Sequence, residues 1–186
     1  MQRELTAFVE QPCKETFLSA RKAVLSESSL PLTTTEIAEL DELLEEGEFE
    51  VVLDRIDALP PSKVLSPRVH FLAAEAADGL HDAAAVELER ILFVLSLRGL
   101  LTTGDGTRGN PFVVCHPSDE YDILAAMGRR PAGQMLKKQG RRLLDVILCE
   151  DGCETCFDVT EILSRPQPKP IKVRRKARAR RPLKAR

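Results

Sequence analysis

Between residues 33 and 99, apolar side chains return at three- and four-residue steps, broken at intervals by glycine or proline, a rhythm that only packed amphipathic helices satisfy. Ile37, Leu40, Leu43 and Leu44 form one stripe, and Phe49, Val52, Leu53, Ile56 and Leu59 the next, with Gly47 allowing the chain to turn between them. Thr33 and Glu36 have the spacing of a capping box, in which a hydroxyl and a carboxylate each satisfy an amide that the first helical turn leaves open. Pro60-Pro61 ends this pair of helices. Ser66-Pro67 starts another, with serine as cap and proline in the first turn, where its missing N–H costs nothing. Ala73, Ala74, Ala76 and Ala77 let a neighbouring helix approach closely, and after Gly79 a long helix is predicted over 82–97. That helix is apolar almost all round from Ile91 to Leu95, which predicts a central position covered on more than one side. Upstream, Phe17, Ala20, Val24 and Leu25 predict a helix over 12–28, with Lys14, Arg21 and Lys22 on its solvated side and Pro31 breaking the chain after it.

Gly47, Phe49 and Val52 stand 32 residues before Gly79, His81 and Ala84. Over 33–99 this resembles the tetratricopeptide pattern, in which a small residue lets two antiparallel helices pack and a bulky one follows. The resemblance implies stacked helix pairs that display a groove for a partner peptide or protein. Since about three stacked units are usually needed for stability, the helix at 12–28 and the segment after residue 99 are expected to act as caps.

After Leu101 the character changes. Thr103-Gly104-Asp105-Gly106-Thr107 and Gly109-Asn110 are turn-rich, and Phe112, Val113, Val114 and Cys115 read as a short strand. Ser118 is placed to cap a helix whose first turn holds Asp119 and Glu120, favourable at the positive end of the dipole, and Gly128 closes it. Pro131 and Gly140 bracket one more short helix, and 143–149, Asp151-Gly152 and 153–159 spell a hairpin with a two-residue primed turn. The strings TGDG, PFVV, SDEYDIL and FDVTEI resemble, over 100–162, a family of uncharacterised bacterial proteins in which a tetratricopeptide-like part precedes a domain of unknown function. That resemblance implies the same order of parts and transfers no catalytic residue. The expected fold class is therefore α+β, mainly α: tetratricopeptide-like helix pairs over 1–99, a small α+β module with a C-terminal β-hairpin over 100–163, and a disordered basic tail over 164–186.

Charge is divided as sharply as pattern. Of 27 Lys and Arg, 11 fall in residues 165–186, which hold no acid, leaving 16 basic against 29 acidic groups in the remainder. With Pro166, Pro168, Pro170 and Pro182 and few large hydrophobes, the tail cannot bury enough surface to offset its conformational entropy. Lys169, Lys172, Arg174, Arg175, Lys176, Arg178, Arg180, Arg181, Lys184 and Arg186 are its candidate contacts to anions, above all the phosphate backbone of nucleic acid. The competing reading is a solubilising tail that folds back on the acidic body. Aromatic residues are not interleaved, so stacking on single-stranded bases is not indicated.

The first dozen residues mix Arg3, Glu4 and Glu10 and predict no secretory signal. The apolar run at 91–97 contains Ser96 and falls short of the roughly 20 residues that span a bilayer. A cytoplasmic protein with free thiols is expected, without cofactor or metal. Cys149-x3-Cys153-x2-Cys156 has the spacing of the iron–sulfur triplet of radical enzymes that use S-adenosylmethionine. A two-residue turn at Asp151-Gly152 opposes that chemistry: it pairs Glu150 with Cys153 and Cys149 with Glu154, which puts Cys149 and Cys156 on one face and Cys153 on the other. Asp105 is expected to bond its own backbone in a turn rather than help cradle a phosphate, since the phosphate-loop lysine is missing. Asp119, Glu120 and Asp122 spread around a helix rather than converge on an ion, and Tyr121 packs and hydrogen-bonds. His70, His81 and His116 stand apart, without a nucleophile–base pair. The reading that results is a non-enzymatic adaptor, with nucleic-acid association through the tail as the alternative.

Overall fold

The computed structural model describes residues 1–27 and 32–164. Pro31, and the tail at 165–186 with all its candidate anion contacts and its expected disorder, lie outside the described residues. Within them the chain is α+β and mainly helical. Helices α1 (Gln2–Glu10), α2 (Lys14–Glu27), α3 (Thr34–Glu45) and α4 (Phe49–Asp57) are followed by a 3-10 turn (Pro61–Leu65), α5 (Pro67–Gly79) and α6 (Ala83–Thr102). Then come β1 (Phe112–Val113), α7 (Ser118–Ala126), β2 (Pro131–Gln139), β3 (Arg142–Cys149), β4 (Glu154–Asp158) and α8 (Thr160–Leu163). The sheet runs β1-β4-β3-β2, with β1 parallel to β4 and the other neighbours antiparallel.

Helix starts follow their side chains. Thr33 Oγ1 accepts from the Glu36 amide at 3.1 Å while Glu36 Oε2 accepts from the Thr33 amide at 2.8 Å, the reciprocal capping box that the spacing predicts. Ser66 Oγ accepts from Val69 N, and Asp82 Oδ1 from Ala85 N. The stripes of α3, α4 and α5 meet in one core built on Leu32, Leu40, Val52, Ile56, Leu72 and Ala76, each fully buried large side chain worth roughly 2 kcal/mol. The internal offset is 34 residues rather than 32. Gly47 closes α3 at φ +75°, and its counterpart after α5 is His81 at φ +60°, not Gly79. Gly79 does other work: a Cβ there would lie 2.5 Å from the Phe49 ring, so only glycine lets α4 seat against the end of α5.

A second, larger core joins the two ends of the chain. Phe8 and Phe17, edge to face at 5.4 Å, share it with Leu100, Phe112, Ile147 and Phe157. The helix at 2–10 was not expected: its composition is polar, and it docks through Phe8, which is buried, and Leu5, which packs against the same core. Arg21, expected on the solvated side of α2, is buried instead. Its Nε and Nη2 donate to Val114 O at 3.1 and 2.9 Å, and Nη1 pairs with Glu161. A planar guanidinium has donors enough to fasten both segments at once.

Three further expectations are corrected. Residues 131–139 form an edge strand, not a helix, because β3 offers a full ladder and Gly140, at φ +62°, begins a two-residue turn that brings the chain straight back. The β3–β4 hairpin closes through three residues, Glu150, Asp151 and Gly152, with Gly152 at φ +80° and Asp151 Oδ1 accepting from Cys153 N at 2.9 Å. The register therefore slips by one, Leu148 facing Glu154 and Val146 facing Cys156. Finally, α6 is covered on more than one side, by α5, α2 and α7, but it is not central along its whole length: Leu88, Ile91 and Val94 are exposed. Hydrophobicity all round the helix led to the expectation of burial, yet no described element covers that side.

Candidate functional site

Two surfaces carry the unusual features. The first is the outward side of α6, where Leu88, Ile91 and Val94 are 55%, 51% and 58% exposed. Their spacing of three residues lines them along one helical face. Two of them, Ile91 and Val94, also line a groove of about 770 Å³ together with Val86, Leu95, Asp78, Glu87 and Arg90. A soluble chain ordinarily turns charge, not a continuous branched-aliphatic stripe, to water.

The second lies at α7, whose first turn departs from expectation. Pro117, not Ser118, stands at the cap position and Ser118 Oγ is buried without a partner. No side chain caps the helix; Asp119, in its first turn, instead ties down the loop before it, its Oδ2 accepting from the Cys115 and His116 amides at 2.8 and 2.9 Å. Asp119 is fully buried, and burial pushes its carboxyl up to about 7 despite those two amides. His116, also fully buried, is pushed down to about 4 by burial, and its Nε2 lies 3.0 Å from Ser62 O. Burial drives the Cys115 thiol strongly upward, so it is not a nucleophile at neutral pH.

Glu120 is 2% exposed and lines a cleft of about 280 Å³ between α7, β2, β3 and α8. Burial, then the Asp145 and Asp119 charges, push its carboxyl up to about 8. Across the cleft Tyr121 Oη donates to Gln134 Oε1 at 3.2 Å, and Gln134 Nε2 donates to Asp145 Oδ2 at 2.6 Å. Asp145 Oδ1 is buried without a hydrogen-bond partner. Pro117, Val159, Ile162 and Leu163 supply the apolar walls.

Asp119, Glu120 and Asp122 do point apart, to the loop amides, the cleft and the Arg68 backbone respectively. Among the described residues no group of three or more His, Cys, Asp or Glu is placed to hold a metal. The observed register puts Cys149 opposite Cys153 on one face and Cys156 on the other. Asp105 Oδ1 accepts from Thr107 N at 2.9 Å, the local turn its neighbours predict. His70 Nδ1 lies 2.7 Å from Glu89, and His81 is a turn residue, so the three histidines stay separate. Sequence reasoning missed Glu120 as a cleft group, although a signal was present: positions 119, 120, 123 and 124 fall on one helical face, and Ile123 and Leu124 mark that face as buried. Asp145 and Gln134 gave no such signal.

No protein-family model, curated protein or solved structure matches the chain. Among the described residues no helix is long and apolar enough to cross a membrane.

Proposed function

We propose that this is a non-enzymatic, cytoplasmic interaction protein whose helical half engages a partner protein through the outward face of α6. The observation that carries this reading is the exposed stripe Leu88, Ile91, Val94, of which Ile91 and Val94 also line the groove. Such a face fits an amphipathic helix laid along it, read by anchors three and four residues apart. The flanks of that helix are mainly basic, because residues 1–164 hold 16 basic against 29 acidic groups and Asp78 and Glu87 line the groove, with Arg90 there taking one acidic group. The tetratricopeptide resemblance of 33–99 favours the same use, since in such a stack the last helix pair is the one on which a further unit packs. Five free cysteines suit a reducing compartment.

A photo-crosslinker at position 91, scored in cells against Val94→Asp and Leu88→Asp, tests it. The reading expects one dominant partner whose crosslink disappears in both variants while thermal unfolding is unchanged. A homodimer broken by Val94→Asp in sedimentation velocity would assign the face to self-association instead.

The concentration of 11 basic residues in 165–186 favours a second reading, non-specific attachment to nucleic acid. DNA and RNA binding across a salt series, with and without those charges, tests it. Binding that does not change on their removal would discard it.

A further inference from the structure

The cleft at α7 has no part in docking at α6, and its chemistry is of another kind. Two carboxyl groups from different elements, Glu120 on α7 and Asp145 on β3, face a space too small for a peptide helix but large enough for one side chain. Neither is spent on the protein: Glu120 makes no hydrogen bond within the described residues, and Asp145 uses only Oδ2, on Gln134. Among the described residues no basic side chain forms an ion pair with either. A buried acceptor left open, as Asp145 Oδ1 is, is costly, and a ligand that donates to it removes that cost.

We propose that this cleft binds the side chain of an arginine, its guanidinium bridging the Glu120 carboxyl and Asp145 Oδ1 and its methylene stem lying against Val159, Ile162 and Leu163. A guanidinium suits two separate acceptors because its planar fork directs donors to both, whereas an ammonium is a compact point charge that is more strongly hydrated. The Tyr121–Gln134–Asp145 chain fixes the Asp145 carboxylate, so Oδ1 is aimed before the ligand arrives. The apolar walls exclude water and strengthen the pairing. An arginine has a source close at hand: Leu163, part of the wall, lies two residues before the basic segment that begins at Arg165. The same chemistry is offered by an arginine of another protein.

Binding must also move a proton. The Glu120 carboxyl, held up to about 8 and faced by Asp145 across the cleft and Asp119 on its own helix, is mostly protonated at pH 7. A bound guanidinium favours the carboxylate, so binding releases a proton below about pH 8 and tightens as pH rises from 6.5 to 8.5.

The test is an NMR titration with N-acetyl-arginine amide, and with its neutral citrulline isostere, on two full-length chains: the native one and one in which the arginines of 165–186 are replaced by glutamine. The proposal expects the arginine compound to shift the Gln134 side-chain amide of the substituted chain with a Kd of about 1 mM or tighter, and citrulline to bind at least tenfold more weakly. Glu120→Gln and Asp145→Asn should each weaken arginine binding about tenfold, and Glu120→Gln should abolish the pH dependence. If the native chain binds the compound several-fold more weakly than the substituted one, the tail is the occupant in cis. Equal affinity assigns the cleft to an arginine from another protein. Citrulline binding as well as arginine, or no shift in either chain, overturns the proposal, and this control does not depend on how the variants fold.

Discussion

The helical half and the α+β module are held together by different means. Where α3, α4 and α5 meet, the shared core is hydrocarbon: Leu40, Val52, Ile56, Leu72 and Ala76. Around α7 the interior holds His116, Asp119 and Glu120, with Arg21 strapping the loop before it. Hydrocarbon needs only the right periodicity and volume, and each contact can be replaced by another of similar size. A buried ionisable group needs one particular partner, and two of these have remote ones: Arg21 reaches Val114 and Glu161, 93 and 140 residues away, and His116 reaches Ser62, 54 away, whereas Asp119 is met by the nearby Cys115 and His116 amides. The helical half should therefore lose stability by volume, and the module by orphaned polar groups.

The largest effect should come where the two regimes join. Phe17→Ala opens a cavity in the core shared by α1, α2, α6 and the sheet and should cost about 4 kcal/mol, while Leu72→Ala in the helical core should cost about 3 kcal/mol. Because α6 packs on α5 and also contributes Leu100 to the larger core, both variants should unfold in one urea transition. Two transitions in Leu72→Ala would show that the halves are separate cooperative units and break the comparison. Arg21→Met keeps volume but leaves Val114 O without its two donors and Glu161 without its buried cation, for a loss of about 3 kcal/mol.

The second contrast is in pH. The folded-state values of Asp119, about 7, and Glu120, about 8, both lie above their ordinary carboxylate values. The folded chain thus holds protons that the unfolded chain has already released, and the stability this confers is present at low pH and lost as pH rises through the folded values. His116, about 4 against an ordinary 6.5, has the opposite sign and costs stability as pH falls from 6.5 towards 4. Between pH 6.5 and 8.5 the acids dominate. The urea midpoint should fall over that range, and Glu120→Gln should flatten the fall and gain on the order of 2 kcal/mol at pH 8.5. An unchanged slope in that variant would mean that Glu120 is solvated.

The same division explains how much could be read from the sequence. The α3–α6 boundaries follow from Thr33, Gly47, Pro60 and Ser66, because caps, breakers and stripes act within a few residues. Segment 131–139 carries helix-tolerant residues and became a strand because β3, a partner the local sequence does not name, was available. Polar α1 is held by Phe8 meeting Phe17. The cleft was half legible for the same reason: Ile123 and Leu124 mark the face that buries Glu120, but Gln134 and Asp145 are ordinary surface residue types until the β2–β3 hairpin brings them to it. The exposed stripe on α6 was not legible: residues 91–95 read as apolar almost all round and therefore central, because composition reports that a helix is apolar and not what covers each side.

The smallest effect is the sharpest test of the internal repeat. Gly47 and His81 occupy equivalent turns: Gly47 N donates to Leu44 O and Glu48 N to Leu43 O, and His81 N donates to Asp78 O and Asp82 N to Ala77 O. Each pair is the 5→2 and 6→1 closure of a helix end, and each requires a left-handed residue. A Cβ at Gly47 would meet nothing within 4 Å, so Gly47→Ala measures backbone strain alone and should cost about 1 kcal/mol. His81→Gly relieves that same strain but gives the unfolded chain more freedom, for a net gain of about 0.5 kcal/mol. If the imidazole of His81 contributes through a contact, His81→Gly will instead lower the urea midpoint, and the two turns are alike in backbone only.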